Sequence, residues 1–560
     1  MGLVHRSVVV GAWLVACSSP SRPVVVQNQP PPVDESGLLP PLPKPEPVDT
    51  QKFAAVTVCV RCHQANEVDM RDTKKRDVSP VTELQAGMMS LAARDPYFLA
   101  ALRREIDANP AARVQIESIC LRCHAPVGFT EQSTLTLDDL TRGATPAAIL
   151  AREGVGCAGC HSLEPEQLGK EAGFTGRAAL RTDRVSFGAL PTPLEDAMLQ
   201  MAKMKPVPSA HVEESRLCAS CHSVFVHRLD KTGAPVGDEL PEQATYLEWR
   251  NSDFQNEAMP AGERAATCQD CHMPHGEDEL DRDAKPIVTA FTTRPVDAPP
   301  RTGYRRHTLR GGNTYMLRQL AKHAAWLGAA ATPEQLVAAA EATGRFLTSA
   351  AKLTVVGVGQ ELRVTVVNET GHKLPTGYPT RRMWLRVRAT DREGRVVYES
   401  GGMRDGAIVD AEGKRLDGPG AIMPHVDRAS TEEVPIWEAV PVDEAGKRTH
   451  LLLGTARIAK DNRILPAGWR NDHPDATRTK PIGVDGDTDF LPGRDSVMYI
   501  LPATATDATV ELLYQAVPPE TIESYAPTDS LEAARFRAIC DVPPLPNVIA
   551  FASASLPAAP

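Results

Sequence analysis

Apolar positions change their period once along this chain. Between Thr82 and Ile106 the residues Leu84, Met88, Leu91 and Ala92 recur at helical spacing, and a second helical stretch starts at Asp95. Thr332, Pro333 and Gln335 carry a helix-start signature ahead of an alanine-rich run: a capping hydroxyl, a proline at the first position and a reciprocal partner at the third. Beyond Ala351 apolar and polar residues alternate, as in Leu362, Val364 and Val366, in Leu385, Val387 and Ala389, in Val497 and Tyr499, and in Val510, Leu512 and Tyr514. Turn signals at Glu393-Gly394 and Glu412-Gly413 separate the runs. The pattern predicts a multidomain chain: a mainly α or irregular part over residues 53–351, an immunoglobulin-like β-sandwich over 352–520 and a polar, proline-containing tail over 521–560.

The N-terminal end has a different character. His5 and Arg6 precede an apolar run from Val8 to Ala16 that is too short to span a membrane and reads as an export signal over residues 1–16. Leu14-Val15-Ala16-Cys17 resembles a bacterial lipoprotein box, which implies lipidation of Cys17; ordinary cleavage near Ala16 with an incidental cysteine is the alternative. Ser18 and Ser19 then favour sorting to the outer membrane, on the periplasmic side or at the cell surface. Residues 17–52 form a proline-rich linker, expected to be an extended, semi-rigid spacer.

At 560 residues the chain is too long for one core, and its 12 cysteines are distributed unevenly. Ten of them fall in five copies of one phrase, numbered here in chain order as motifs 1 to 5: Cys59-Val60-Arg61-Cys62-His63, Cys120-Leu121-Arg122-Cys123-His124, Cys157-Ala158-Gly159-Cys160-His161, Cys218-Ala219-Ser220-Cys221-His222 and Cys268-Gln269-Asp270-Cys271-His272. With 12 Cys and 15 His, chance would give about 0.007 such phrases. Two thiols three residues apart share one side of a helical turn and can add to the two vinyl groups of one porphyrin, and the following histidine then binds the iron. Zinc sites and redox dithiols also use Cys-x-x-Cys, but neither needs the histidine. The phrases therefore call for five covalently bound haem c groups, with His63, His124, His161, His222 and His272 as proximal iron ligands. Aromatic residues make up only 5% of the chain, so haem faces are expected to supply much of the core over residues 53–330, and the haem-free chain to fold poorly. A disulfide framework is excluded, since only Cys17 and Cys540 remain, and Cys540 reads as a small buried residue. The net charge of -10 argues against nucleic acid as a partner and suits redox partner proteins with basic docking faces.

Several longer phrases carry a resemblance. Glu117-Ser118-Ile119-Cys120 through His124-Ala125-Pro126, Gly154-Val155-Gly156-Cys157 and Thr267-Cys268 through His272-Met273-Pro274 look like bacterial multihaem cytochromes c of the group related to the tetrahaem cytochrome c of nitrifiers and to hydroxylamine oxidoreductase. Tyr246-Leu247-Glu248-Trp249, His307-Thr308-Leu309-Arg310-Gly311-Gly312-Asn313, Gly371-His372-Lys373-Leu374-Pro375-Thr376-Gly377-Tyr378-Pro379 and Lys460-Asp461-Asn462-Arg463 are further echoes; the last two resemble members that join a haem domain to a C-terminal β domain. The resemblance implies export, close-packed haems and electron transfer. It does not carry the enzymatic activities over: the Cys-x-x-Cys-Lys phrase of nitrite reductases is missing, and hydroxylamine oxidoreductases hold eight haems.

The sixth ligand of each iron decides between shuttling electrons and binding a small molecule. The distal candidates are His211, close before motif 4; His307, ahead of two glycines that permit close backbone approach to a porphyrin; His372, in a Gly and Pro loop of the β region; and His275, His227 and His425. Met88 and Met89, on the helix before motif 2, offer a thioether or simple packing. His323 reads as a packed helical residue, and His450 and His473 as surface residues. Asp461 and Asp472 sit in turn-rich loops that would suit calcium, but without calcium-loop spacing. No nucleophile triad, phosphate loop or zinc-protease phrase occurs, so no catalytic residue is assigned. Because histidines suffice for every iron, the expected function is a lipid-anchored pentahaem cytochrome passing electrons between periplasmic or cell-surface partners. The alternative is a multihaem reductase or oxidase of a small nitrogen or sulfur compound at one open haem.

Overall fold

Local chemistry decides where the helices start and stop. In the computed structural model, which describes residues 40–526 and 528–556, Thr332 caps the helix Pro333–Leu347, accepting a hydrogen bond from the Gln335 amide while the Gln335 side chain accepts from the Thr332 amide. The expected run from Leu84 to Ala92 is different. The helix Pro80–Gln85 ends there, Gly87 to Arg94 fold as turns, and Asp95 then caps the helix Pro96–Ala108 by accepting from the Tyr97 amide at 2.9 Å. Met88 and Met89 thus stand on a turn segment and not on a helix. The export signal, Cys17 and the first part of the linker lie outside the described residues.

Over residues 56–347 the helices are short and joined by loops, with two small ribbons: β1 (Val185–Gly188) beside β2 (Lys205–Pro208) and β3 (Val224–Leu229) beside β4 (Pro235–Gln243). The alternating region forms two larger sheets. One is β11 (Arg428–Ala429), β14 (Arg494–Ile500), β6 (Glu361–Asn368) and β5 (Ala351–Val358). The other runs β13 (Arg457–Asp461), β12 (Ile436–Val442), β7 (Arg382–Thr390), β15 (Asp507–Gln515) and β16 (Asn547–Ser555), with β8 (Val396–Ser400) also on β7; β9 (Gly402–Arg404) and β10 (Ala407–Val409) make a separate hairpin. Leu362, Val364 and Val366 of β6 and Leu385, Val387 and Ala389 of β7 are all fully buried, in the same core as helical Leu99, Leu102, Met316 and Leu336. β11 pairs with β14 in parallel, while the other strand pairs of these two sheets are antiparallel.

Two expected segment boundaries are corrected. Residues 521–560 are no tail: the helix Leu531–Ile539 packs on Pro96–Ala108, with the Tyr97 and Phe536 rings 5.0 Å apart, and β16 pairs with β15 along its length. Its single apolar faces are too short to reveal this in sequence. The end of the linker is likewise held down: the Leu42 amide donates to the Trp326 carbonyl at 2.9 Å, and Arg94 and Arg535 donate to the carbonyls of Pro43 and Pro40. Prolines leave carbonyls free, and buried arginines use them.

Candidate haem-binding cavity

Four of the five motifs end or form a helix, at Val56–His63, Arg113–His124, Cys157–His161 and Cys268–His272; in motif 4 the helix Arg216–Ala219 leads into a turn. Every motif histidine turns Nδ1 to an oxygen acceptor. The Nδ1 atoms of His63, His124, His161 and His272 meet the carbonyls of Phe291, Ala92, Phe187 and Arg310 at 2.8, 3.1, 2.6 and 2.6 Å, and that of His222 meets Gln243 Oε1 at 3.2 Å. Donation from Nδ1 fixes the tautomer and leaves each Nε2 lone pair for a metal, the usual outer support of a ligand histidine. Burial pushes His124 down to about 4 and lowers His63, His222 and His272, which keeps the rings neutral.

The motifs share one cavity of about 1430 Å³, lined by the cysteines and histidines of motifs 1, 3, 4 and 5 and by Arg122 of motif 2. Thiols of different motifs lie side by side as three pairs, Cys59 with Cys157, Cys123 with Cys221 and Cys218 with Cys268, and Cys160 is electrostatically coupled to Cys221. Motif 1 therefore adjoins motif 3, motif 3 adjoins motif 4, and motif 4 adjoins both 2 and 5. Paired thiols, neutral imidazoles with free Nε2 and a large cavity between them fit covalently attached haem c.

Of the nine histidines outside the motifs and the N-terminal segment, His307 and His372 line this cavity. The His307 ring lies 6.3 Å from that of His161, tilted by 23°, and the His372 ring 6.4 Å from that of His272, tilted by 21°. Two imidazoles bound at roughly 2 Å to one metal ion have their ring centres about 6 Å apart. Both also turn Nδ1 to a carbonyl, of Arg305 at 3.0 Å and of Lys373 at 2.9 Å, and burial pushes both down to about 4.

Each of these two histidines is fixed by a buried ionic network. Glu83 accepts from the His307 amide at 2.8 Å and from Arg306 Nε at 2.7 Å; Glu279 in turn holds Arg306 and Arg310, whose carbonyl supports His272. Burial pushes Glu83 up to about 7 against the pull of Arg306. His372 is set by the converging phrases noted in the sequence. Lys373, wholly buried, pairs with Asp461 at 2.6 Å; Arg463 joins Asp461 to Glu248; and Glu248 accepts from the Lys373 amide and the Thr376 hydroxyl. Gly371 is needed beside them, since a Cβ there would stand 2.9 Å from Trp249. Gly312 has a similar reason, the Tyr514 hydroxyl at 2.5 Å from such a Cβ, so its service is to the protein rather than to a porphyrin face.

The other candidates go elsewhere. His211 has both ring nitrogens engaged, with Ser209 at 2.6 Å and the Leu163 carbonyl at 3.0 Å. His227 is exposed on β3. His425 bonds Asp487 and Asn462 in the β region, far along the chain from any motif. His275 turns Nδ1 to the Tyr304 carbonyl at 3.1 Å but does not line the cavity. His323 is buried beside Trp326, and His450, expected at the surface, is half-buried against Glu520 at 2.8 Å. Met88 and Met89 both line the cavity with Val81 and Leu84, and the Met89 carbonyl accepts from the Val155 amide at 2.9 Å, just ahead of motif 3. Asp461 has its charge met by Lys373 and Arg463, so calcium is not called for there, and Asp472 is exposed.

Sequence reasoning missed a cluster beside motif 2. Tyr97 stands edge-on to Tyr378 and Tyr525, at 5.9 and 6.1 Å, Arg104 lies over the Tyr525 ring, and burial pushes Glu105 and Glu242 up to about 7 each, near Cys120. These residues come from four distant stretches of chain, and no local spacing connects them.

No protein-family profile and no curated protein matches the chain. A solved structure does: the penta-haem cytochrome c552 from Thermochromatium tepidum, at 16% identity and a TM-score of 0.51, over 91% of this chain and 100% of that one. The fold is thus that of a multihaem cytochrome c, and it takes in the helical part and the β-rich part together.

Proposed function

We propose that this chain is an exported pentahaem c-type cytochrome that passes electrons between redox partner proteins, anchored to the membrane through a lipid on Cys17. In this reading the ten motif cysteines hold five haem c groups, the five motif histidines are the proximal ligands, His307 is the distal ligand for motif 3 and His372 for motif 5. The group supplies one-electron chemistry at a potential set by its axial ligands and burial. The residues of the chain do the rest: the thiol pairs bring the five attachment sites edge to edge, Glu83 and Lys373 hold the distal imidazoles, and the apolar walls exclude water. The carrying observation is the side-by-side packing of cysteines from different motifs, which makes the sites one array, 1–3–4, branching to 2 and 5. Periplasmic or cell-surface placement at the outer membrane rests on the N-terminal sequence, and the sandwich reading of the β-rich part rests on its two sheets sharing a core.

Electron paramagnetic resonance of the air-oxidised holoprotein, with spins counted against haem, tests this. The expected result is five haems per chain, at least two of them in low-spin bis-imidazole signals. Absence of any bis-imidazole signal would defeat the ligand assignment, and fewer than four haems per chain the array.

A second reading is favoured by the cluster at motif 2. Glu105 and Glu242, which burial pushes up to about 7, and Tyr97 are groups able to exchange protons beside motif 2, whose His124 ring is stacked on Phe98 rather than facing a second imidazole, the setting a reductase or oxidase of a small nitrogen or sulfur compound would use. Carbon monoxide binding by the reduced protein would favour it, and Glu242→Gln should then slow turnover of such a compound while leaving carbon monoxide binding and haem content unchanged.

A further inference from the structure

Away from the cavity, the β-rich part gathers acid that it does not neutralise. The run Asp485-Gly486-Asp487-Thr488-Asp489 precedes β14 and places aspartates at alternate positions, the spacing that opens calcium-binding loops. Asp487 and Asp489 come within reach of Asp495, the second residue of β14, which is wholly buried. Carboxylate oxygens of Asp487 and Asp495 and a ring nitrogen of His425 lie within 4.8 Å of one another. One oxygen of Asp495 accepts from Trp437 Nε1 at 2.7 Å; the other, also buried, has no hydrogen-bond partner among the described residues, and neither has the buried Oδ1 of Asp489. Arg363 meets only the outer oxygen of Asp489, at 2.7 Å.

His425 does not cancel this charge, and its tautomer says which metal suits. Asn462 is fixed, its carbonyl oxygen accepting from the Glu438 amide at 3.0 Å and its amide donating to the Ile436 carbonyl at 2.9 Å, so the same amide donates to His425 Nδ1 at 3.1 Å. Nε2 then carries the proton and donates it to Asp487 at 2.7 Å. The imidazole is a neutral positioner of a carboxylate, with no lone pair left for a metal. The donors that remain are oxygens only, the preference of a hard cation rather than of zinc or copper.

We propose that Asp487, Asp489 and Asp495 bind one calcium ion, with His425 positioning Asp487 and with waters entering past the exposed Gly486 and Thr488. The ion ties β14 of one sheet to the loop ahead of it, and through Trp437 to β12 of the other. The buried Oδ1 of Asp495, which no protein donor meets among the described residues, is the oxygen such an ion would satisfy.

The test is calcium uptake by the full-length holoprotein after chelator treatment, followed by calorimetry and by the thermal midpoint, with magnesium and zinc as comparators. One calcium per chain is expected, with a dissociation constant of ~0.1–1 mM as in extracellular calcium modules, a midpoint that rises with calcium and a smaller response to magnesium. Asp489→Asn, at the half-exposed edge, should weaken uptake at least tenfold with the haem spectrum unchanged; Asp495→Asn should abolish it. No calcium uptake by the unmutated protein, or unchanged uptake by Asp489→Asn, overturns the proposal. Zinc binding that His425→Gln removes would overturn the oxygen-only site.

Discussion

Motifs 2 and 3 are the same five-residue chemistry in two settings. At motif 3 a second imidazole, His307, faces His161 across the gap one metal ion needs. At motif 2 the His124 ring is stacked on Phe98, 3.7 Å away and tilted by 3°, and the groups nearby are Tyr97, Glu105 and Glu242. Attachment is set within five residues, whereas the sixth ligand is set by whatever distant segment the fold brings across. Motif 5 sides with motif 3 through His372; among the described residues no other histidine outside the motifs lines the cavity, and His124 of motif 2 does not line it.

Four experiments break or sharpen this contrast. The largest effect comes from withholding the cofactor. With a cavity of about 1430 Å³ at its centre, the chain produced without haem attachment should lack a cooperative thermal transition and be degraded by protease within the time the holoprotein survives. Next, His307→Ala or His372→Ala should turn one low-spin iron high-spin, making motif 3 or 5 resemble motif 2; an unchanged resonance spectrum removes that residue. Asp461→Asn leaves Lys373 buried without its partner and should cost roughly 3–5 kcal/mol in denaturant unfolding, while broadening the His372-dependent signal and sparing that of His307. The smallest effect is on acid stability. Burial would raise Glu438, but Lys460 and Arg448 outweigh it and hold it down to about 2, so its contribution is complete above its unfolded value, near 4.5, and is lost as pH falls from there towards 2. Replacing Glu438 with Gln should flatten the pH dependence of stability by about 2 kcal/mol between about pH 5 and about pH 3, as read from unfolding midpoints at those two pH values.

The motifs, the capped helix at Thr332 and the alternating strands were legible because each rests on contacts within a few residues. His307 and His372 were legible as candidates but not as partners of His161 and His272, since that pairing depends on Glu83, Glu279 and Glu248, acids with no local mark of their role. His211 misled through nearness in sequence to motif 4, while the fold turns both of its nitrogens to Ser209 and Leu163. The last 40 residues looked like a tail because β16 alternates small residues, Ala550, Ala552 and Ala554, whose partial burial only the pairing with β15 reveals.

That closing strand has a bearing on assembly. A chain made from its N-terminus presents all five cysteine pairs while the loop of His372, the helix Leu531–Ile539 and β16 have yet to emerge. On the proposed haem assignment, covalent loading thus meets an open, half-made chain, and the segments that arrive last act as a latch: they bring His372 into place and shut the array behind it.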